Sequence, residues 1–113
     1  PASSTKMESR KRWMLSSLSA KGEMIVDDGA SRALIDKNRS LLPAGVKNVL
    51  GSFHRGDIVV ILSSQGNKIA VGITNYGSEE VEKIRGSHTN LIGEILGHQY
   101  DDEVVHRNNM VIL

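Results

Sequence analysis

Cysteine is absent from this 113-residue chain, and aromatic residues are scarce, with one Trp, two Tyr and one Phe. The lack of cysteine excludes disulfides and zinc sites built on thiolates. With so few aromatic side chains, a hydrophobic core must be mainly aliphatic. No apolar run reaches membrane-spanning length, and no segment resembles a signal peptide. These absences favour one small cytoplasmic domain without a membrane partner.

The net charge of +1 conceals an uneven distribution of charged residues. Residues 1–21 hold five basic residues and one acidic residue, so residues 22–113 carry a net charge of −3. Domains that bind nucleic acid are usually basic, because phosphate neutralisation supplies most of their affinity. Only residues 29–56 have a local excess of positive charge, and we therefore expect RNA binding to be weak.

The glycine-rich motifs that cradle phosphate groups in nucleotide-dependent enzymes are missing from the sequence. The four histidines show neither His-x-x-x-His spacing nor a supporting cysteine, so no metal site is predicted. We expect the chain to contain no catalytic residue and to need no cofactor of its own.

Short apolar runs separated by turn residues predict a mainly β fold with short helices (α+β). The clearest strands are Ile58–Leu62 and Lys68–Thr74, joined by the glycine-containing loop Ser63–Asn67. The first is apolar at every position, which is typical of a strand covered on both faces. Three further regions are predicted to form strands: Glu23–Val26, a strand-turn-strand over Leu41–Ser52 broken by Pro43 and Gly45, and a final pair, Glu103–Arg107 and Met110–Leu113, around an Asn108-Asn109 turn.

Three short helices are predicted between these strands. The first covers Gly29–Asp36, with Asp27 or Asp28 as its N-cap and Asn38 as its stop. The second begins at a Ser78 cap and is closed by Gly86. The third covers residues 89–96, where four large apolar residues share one face: Leu91, Ile92, Ile95 and Leu96. Phe53 and Tyr76 are expected in the core or at the mouth of the barrel.

The stretch from Leu41 to Ser78, LLPAGVKNVLGSFHRGDIVVILSSQGNKIAVGITNYGS, resembles the PUA domain, a compact pseudo-barrel best known from RNA-modifying enzymes. The upstream Asp27-Asp28-Gly29-Ala30 belongs to the same resemblance. The basic-aromatic Arg10-Lys11-Arg12-Trp13 and the ending Val105-His106-Arg107-Asn108-Asn109-Met110 are similar to the C-terminal segment of bacterial glutamate 5-kinases. In that family the PUA domain follows an ATP-using kinase domain.

The resemblance implies a basic interdomain connector over residues 1–20 and a PUA domain over residues 21–113. The implied parent is a homo-oligomer that uses ATP and magnesium to phosphorylate the side-chain carboxylate of glutamate, the first step of proline biosynthesis. Because the chain starts with Pro1 rather than Met, we expect a fragment, a processed product or a trimmed chain, and the resemblance implies a fragment without the catalytic half. Its implied partner is the N-terminal kinase domain of the same polypeptide, contacted through Arg10, Arg12 and Trp13.

In PUA domains that bind RNA, the turn into the first helix and the adjoining strand line the RNA groove. By position, the corresponding residues here are Gly29, Ala30, Gly45 and Val46, with Arg32 and Lys47 as basic neighbours. Glycine lets another backbone approach closely, and a helix N-terminus attracts phosphate. Asp27 and Asp28 oppose this interpretation, because they occupy the same helix end. The sequence does not decide between three functions. The chain could be an accessory domain of a kinase, an RNA-binding module of an RNA-modifying enzyme, or a module that binds only protein.

Overall fold

The computed structural model describes residues 20–113. Within that range the chain forms five strands, three short α-helices and two 3-10 turns. The strands are β1 (Ala20–Val26), β2 (Val46–Gly51), β3 (Ile58–Leu62), β4 (Lys68–Thr74) and β5 (Val105–Ile112). The helices are α1 (Asp28–Lys37), α2 (Ser78–Ile84) and α3 (Ile92–Leu96), and the 3-10 turns are Pro43–Gly45 and Thr89–Leu91. The predicted mainly β fold with short helices is confirmed.

The five strands form one mixed sheet in the order β2-β1-β3-β4-β5. β1 runs parallel to β3, and the other neighbouring pairs are antiparallel. The predicted strands β3 and β4 have the expected bounds. A bulge lies where Ile61 pairs with Ala70 and Leu62 pairs with Lys68. It turns both Ile69 and Ala70 toward the main core.

The sheet has a different apolar cluster on each face. The main core is built from the inner side chains of the strands together with the buried residues of all three helices: Leu34, Val81, Ile84 and Ile92. The opposite face, which we call the outer face, carries a second cluster formed by Ile58, Val60, Leu62 and Val71. All five residues of β3 are therefore buried, as predicted for a strand covered on both sides.

Helix α1 has the caps that the sequence indicates. Oδ1 of Asp27 accepts a hydrogen bond from the Ala30 N–H at 2.7 Å. At the other end Asn38 adopts a left-handed conformation, with φ of 49°, and its N–H bonds to the Ala33 carbonyl. Leu34 points into the main core, so the helix is held against the sheet by one apolar face.

Two of the predicted strand-turn-strand segments have a different structure from the one predicted. Leu41 makes only an isolated bridge to Val105, because Pro43 starts a 3-10 turn two residues later. The predicted Asn108-Asn109 turn is also wrong, since β5 runs unbroken from Val105 to Ile112. Instead of a turn, the pairing with β4 skips several β5 residues: Met110 pairs with Gly72 and Val105 with Thr74. The extra residues form an irregular bulge.

The two helices after β4 also differ from the prediction. Gly77, not Ser78, is the N-cap of α2, and its N–H donates to Oε1 of Glu80 at 3.0 Å. The third helix is split into a 3-10 turn and α3, and of its four apolar residues only Ile92 is fully buried. Leu91 and Ile95 are exposed. Of the two positions predicted for Phe53 and Tyr76, the core and the barrel mouth, both residues occupy the core.

Candidate ligand groove beside helix α1

A groove runs between α1, the Pro43–Gly45 turn and the first half of β5. It consists of a cavity of about 580 Å³ and a smaller, mainly apolar one of about 230 Å³. Both cavities are lined by Ala33, Ser40 and Leu42, so they form one continuous depression. The smaller end reaches Ala30 and Gly45, the positions that the sequence singled out.

The narrow end of the groove is fixed by direct contact between α1 and the turn. A Cβ atom on Gly45 would lie 2.7 Å from the Ala30 Cβ, which is closer than two carbon atoms can pack. In addition, the Asp27 N–H donates to the Gly45 carbonyl at 3.0 Å. Packing of the helix against the turn therefore already requires glycine at position 45, whether or not a ligand binds.

The N-terminus of α1 is occupied by carboxylates of the chain itself. Asp27 caps the Ala30 N–H, and Oδ1 of Asp28 accepts a hydrogen bond from the Ser64 Oγ at 2.7 Å. An anionic ligand at this helix end would meet two negative charges and would have to displace the cap. The helix start therefore disfavours phosphate.

The wide end of the groove is basic. Lys37 and Arg39 approach from the end of α1 and the segment after it, and Arg107 approaches from β5. The Arg107 N–H donates to the Ser40 Oγ at 2.9 Å, which ties β5 to the segment that follows α1. Among the described residues, Glu103 is the one acidic residue in the lining of this cavity, beside the half-buried His106. An anionic group could contact three cations here, so this end is better suited to a phosphate or carboxylate than the helix start.

The structure brings only some of the candidate residues together. Ala30 and Gly45 line the narrow end, Gly29 lies next to them in α1 outside the lining, and the Val46 side chain is buried in the main core. Arg32 lines a separate cavity beside the β3–β4 loop. Lys47 lies on β2, where its carbonyl accepts a hydrogen bond from Nη1 of Arg85 at 2.7 Å. Arg32 and Lys47 thus flank different surfaces.

Arg107 was not among the residues predicted to line the groove, although it belongs to the Val105–Met110 segment that is similar to glutamate 5-kinases. Arg107 reaches Lys37 and Arg39 only because β5 returns beside the chain that follows α1. The predicted interdomain residues Arg10, Arg12 and Trp13 lie outside the described residues. In residues 20–113, no three His, Asp or Glu side chains are placed to hold a metal ion, and no helix is long and apolar enough to cross a membrane.

The PUA domain family matches residues 22–96. The chain belongs to the PUA domain family.

Several glutamate 5-kinases are among the curated proteins to which the chain is similar. It is 46% identical over 108 residues to the glutamate 5-kinase of Dehalococcoides mccartyi strain CBDB1, a match that covers 96% of this chain and 29% of that protein. The glutamate 5-kinase of Dictyoglomus thermophilum is 50% identical over 104 residues, covering 92% of this chain and 28% of its own length. The chain thus spans less than a third of these relatives.

Solved structures show the same fold. A PUA domain from Aeropyrum pernix K1, crystallised as a tartrate complex, has a TM-score of 0.56 and 32% identity over 76% of this chain and 41% of its own. A conserved PUA domain protein from Thermoplasma acidophilum has a TM-score of 0.51 and 30% identity over 57% of this chain and 43% of its own. The architecture is therefore shared with PUA domain proteins from other organisms, and fold alone does not assign a function.

Proposed function

We propose that this chain is the C-terminal PUA domain of a glutamate 5-kinase and serves that enzyme as an accessory, regulatory domain. The observation that carries the proposal is the 46% and 50% identity to glutamate 5-kinases over more than nine-tenths of the chain. In this proposal the whole enzyme works in the cytoplasm and transfers the γ-phosphate of ATP to the side-chain carboxylate of glutamate, with magnesium as its metal ion.

The proposal places the phosphoryl-transfer chemistry outside this chain. Such chemistry depends on groups that hold the ATP phosphates and the metal ion in line with the acceptor. The matched region is less than a third of each relative, which leaves ample length for a kinase domain that supplies these groups. The contribution of the PUA domain is then contact with the kinase half, which modulates the assembly or regulation of the enzyme.

Three measurements test this function. The coding sequence upstream of Pro1 should specify an amino-acid-kinase domain, and the purified chain should form no glutamyl phosphate from ATP, magnesium and glutamate. In the whole enzyme, deletion of the PUA domain should leave phosphoryl transfer measurable but change its regulation or its oligomeric state. An upstream RNA-modifying domain would contradict the assignment. Turnover by the isolated chain that survives repurification and tracks its folded fraction would contradict it as well.

A second candidate function is RNA binding through the groove. Its specific support is the meeting of Lys37, Arg39 and Arg107 at one end of that groove. Three cations can neutralise only a few phosphates, and the capping carboxylates at α1 repel others. We therefore rank RNA binding below the accessory role. Charge reversal at Lys37 and Arg107 separates the two functions, because only RNA binding depends on these cations.

A further inference from the structure

The two ends of the groove beside α1 differ in chemical character, and this difference restricts what can bind there. The wide end, of about 580 Å³, is lined by basic residues, whereas the narrow end, of about 230 Å³, is mainly apolar. Ala33 and Leu42 line both ends, so one ligand can reach from one into the other. Together the two ends have the size of a small-molecule site, which is about 300–1,000 Å³.

The wide end holds three basic residues: Lys37, Arg39 and Arg107. Within residues 20–113, no carboxylate lies within ion-pair distance of any of these side chains. Three cations against one carboxylate, Glu103, leave the lining with a net charge of +2. The cations come from α1, the segment after it and β5, so they approach a bound group from different sides. The wide end is therefore complementary to an anionic group of one or two charges.

A hydroxyl group and an imidazole add hydrogen-bond donors to the wide end. Oγ of Ser40 accepts the Arg107 N–H at 2.9 Å, which leaves the hydroxyl hydrogen to bond an acceptor in the groove. Nδ1 of His106 accepts the Asn108 N–H at 3.0 Å, so this ring is neutral and carries its proton on Nε2. Donors beside cations suit the oxygen atoms of a carboxylate or a phosphate monoester.

Two residues of the narrow end have main-chain groups that are already paired within the domain. The N–H and the carbonyl of Leu41 bond to residues 104–105, and those of Gly45 bond to Leu42 and Asp27. A nucleobase, whose edge carries several donors and acceptors, would lose its hydrogen bonds to water here without replacement. A hydrocarbon loses none, and a cavity of about 150 Å³ already holds a benzene ring. The narrow end therefore fits a ring or a short acyl chain.

We propose that the groove binds a small organic anion, in which one carboxylate or phosphate monoester is joined to a compact hydrocarbon body. The anionic group lies between Lys37, Arg39 and Arg107, and the body lies between α1 and the Pro43–Gly45 turn. RNA fits less well, because its repeated phosphates and its bases need cations and hydrogen-bond partners along the whole groove. The proposal concerns a ligand of the domain itself and does not depend on the proposed function.

The experiment titrates the isotope-labelled 113-residue chain with four probes and follows the backbone amides by NMR. Phenyl phosphate and benzoate combine an anionic group with a ring, whereas inorganic phosphate and acetate lack the ring. Phenyl phosphate should bind with a dissociation constant of about 1 mM or tighter, as a ligand of this size allows. It should bind about tenfold more tightly than inorganic phosphate, because its ring leaves water. Benzoate should exceed acetate likewise, and the tighter of the two ring probes identifies the preferred anionic group.

The amides of Ser40 and Arg107 should shift with every probe that binds, and those of Ala30 and Gly45 only with the two ring probes. These shifts locate the ligand in the groove and distinguish it from anions that bind elsewhere on the chain.

Substitutions at each end of the groove test its two parts. Lys37→Gln with Arg107→Gln should weaken phenyl phosphate binding about tenfold or more, because hydrogen bonds to charged groups are lost. Lys83→Gln, an exposed position on α2, is the control and should leave binding unchanged. Ala33→Leu narrows the wall shared by both ends and should reduce the affinity for phenyl phosphate to that for inorganic phosphate. Ile35→Phe adds bulk to the same helix outside the groove and should not.

The amide spectrum of each variant establishes that it is folded before it is compared, and Arg39→Gln replaces the double substitution if that variant unfolds. Equal affinity for phenyl phosphate and inorganic phosphate would overturn the proposal, because the narrow end would then contribute nothing. Unchanged binding after loss of the cations, or no shift at Ser40 and Arg107, would overturn it as well. A short uridine oligonucleotide that shifts the same amides at lower concentration than phenyl phosphate would assign the groove to RNA instead.

Discussion

The Tyr76 hydroxyl binds both main-chain polar groups of Asp101. It donates to the Asp101 carbonyl at 2.5 Å and accepts from the Asp101 N–H at 3.1 Å. The Tyr100 N–H also donates to the Tyr76 hydroxyl oxygen, at 3.1 Å. One buried side chain thus fixes the loop that leads into β5.

Removal of this hydroxyl should destabilise the domain. We expect Tyr76→Phe to lower the free energy of unfolding by about 1–3 kcal/mol, because partly buried backbone groups of the loop lose their partner. Urea unfolding followed by circular dichroism measures the change. Tyr100→Phe is the matched control, since the Tyr100 ring is exposed and should tolerate loss of its hydroxyl. Equal stability of the two variants would show that the loop does not depend on Tyr76.

Gly45→Ala should loosen the contact between α1 and the Pro43–Gly45 turn. The new methyl group would lie 2.7 Å from the Ala30 Cβ, and both atoms are attached directly to the backbone. We expect a loss of about 1–3 kcal/mol of stability, as for other overpacked sites. Gly93→Ala is the control, because its nearest neighbour is 3.8 Å away and alanine favours the helix. A Gly45→Ala variant as stable as the Gly93→Ala variant would contradict the close approach.

Two substitutions of the N-cap residue Asp27 should have different effects on stability and on anion binding. Asp27→Ala should lower stability by about 0.5–2 kcal/mol through loss of the hydrogen bond to Ala30, whereas Asp27→Asn should retain most of it. If the helix start can take a phosphate, Asp27→Asn should also bind polyanions more tightly than the unmodified chain. Thermal unfolding and a fluorescence titration with a short RNA measure the two effects. Destabilisation by Asp27→Asn as large as by Asp27→Ala would argue against the cap.

An acidic residue on the outer face should be poorly tolerated. Val71 is buried beside Val60, and an unpaired carboxylate in such surroundings is very costly. We expect Val71→Asp to unfold the domain or to lower its melting temperature severely. Lys68→Asp, an exposed position on the same strand, is the control. A soluble Val71→Asp variant with an unchanged melting temperature would show that this face is open to water.

Charge reversal at the wide end of the groove tests RNA binding. We expect a dissociation constant no tighter than about micromolar at physiological salt, as in non-specific association. The measurement needs Arg10, Lys11 and Arg12 replaced by Gln, because these residues attract any polyanion. In that background, Lys37→Glu with Arg107→Glu should abolish the remaining binding, while Lys83→Glu should not. Nanomolar affinity that is lost with the groove pair would favour the RNA-binding module over the accessory domain.

Local patterns were sufficient to predict part of the fold. The bounds of β3 and β4 follow from an unbroken β-branched run and a glycine-containing loop, and those of α1 follow from Asp27 and Asn38. The bulge in β5 could not be predicted in this way, because it arises where Leu41 pairs with Val105 from a distant part of the chain. Asn108 and Asn109 favour a turn by residue type alone, and only the pairing with β4 replaces that turn by a bulge.

The residues of the candidate groove also differ in whether the sequence could predict them. Ala30 and Gly45 could be proposed because their positions correspond to those that line the groove in the PUA domains that the sequence resembles. Arg107 could not, because its approach to Lys37 and Arg39 depends on the return of β5 beside the segment after α1. The exposure of Leu91 and Ile95 could not be predicted either. Helical periodicity shows which side chains share a face of the helix but not whether another element covers that face.

The parallel pairing of β1 with β3 has a consequence for the kinetics of folding. β1 gains its second neighbour in the sheet only after β3 has been synthesised, and β4 gains its second neighbour only with β5. Domains dominated by such distant pairings fold in about milliseconds to seconds, because long loops must close before the contacts form. During translation, a ribosome that has not yet released β5 carries a sheet with an unprotected edge at β4. Such an unpaired edge can pair with another chain, so chaperone binding in that interval should limit aggregation.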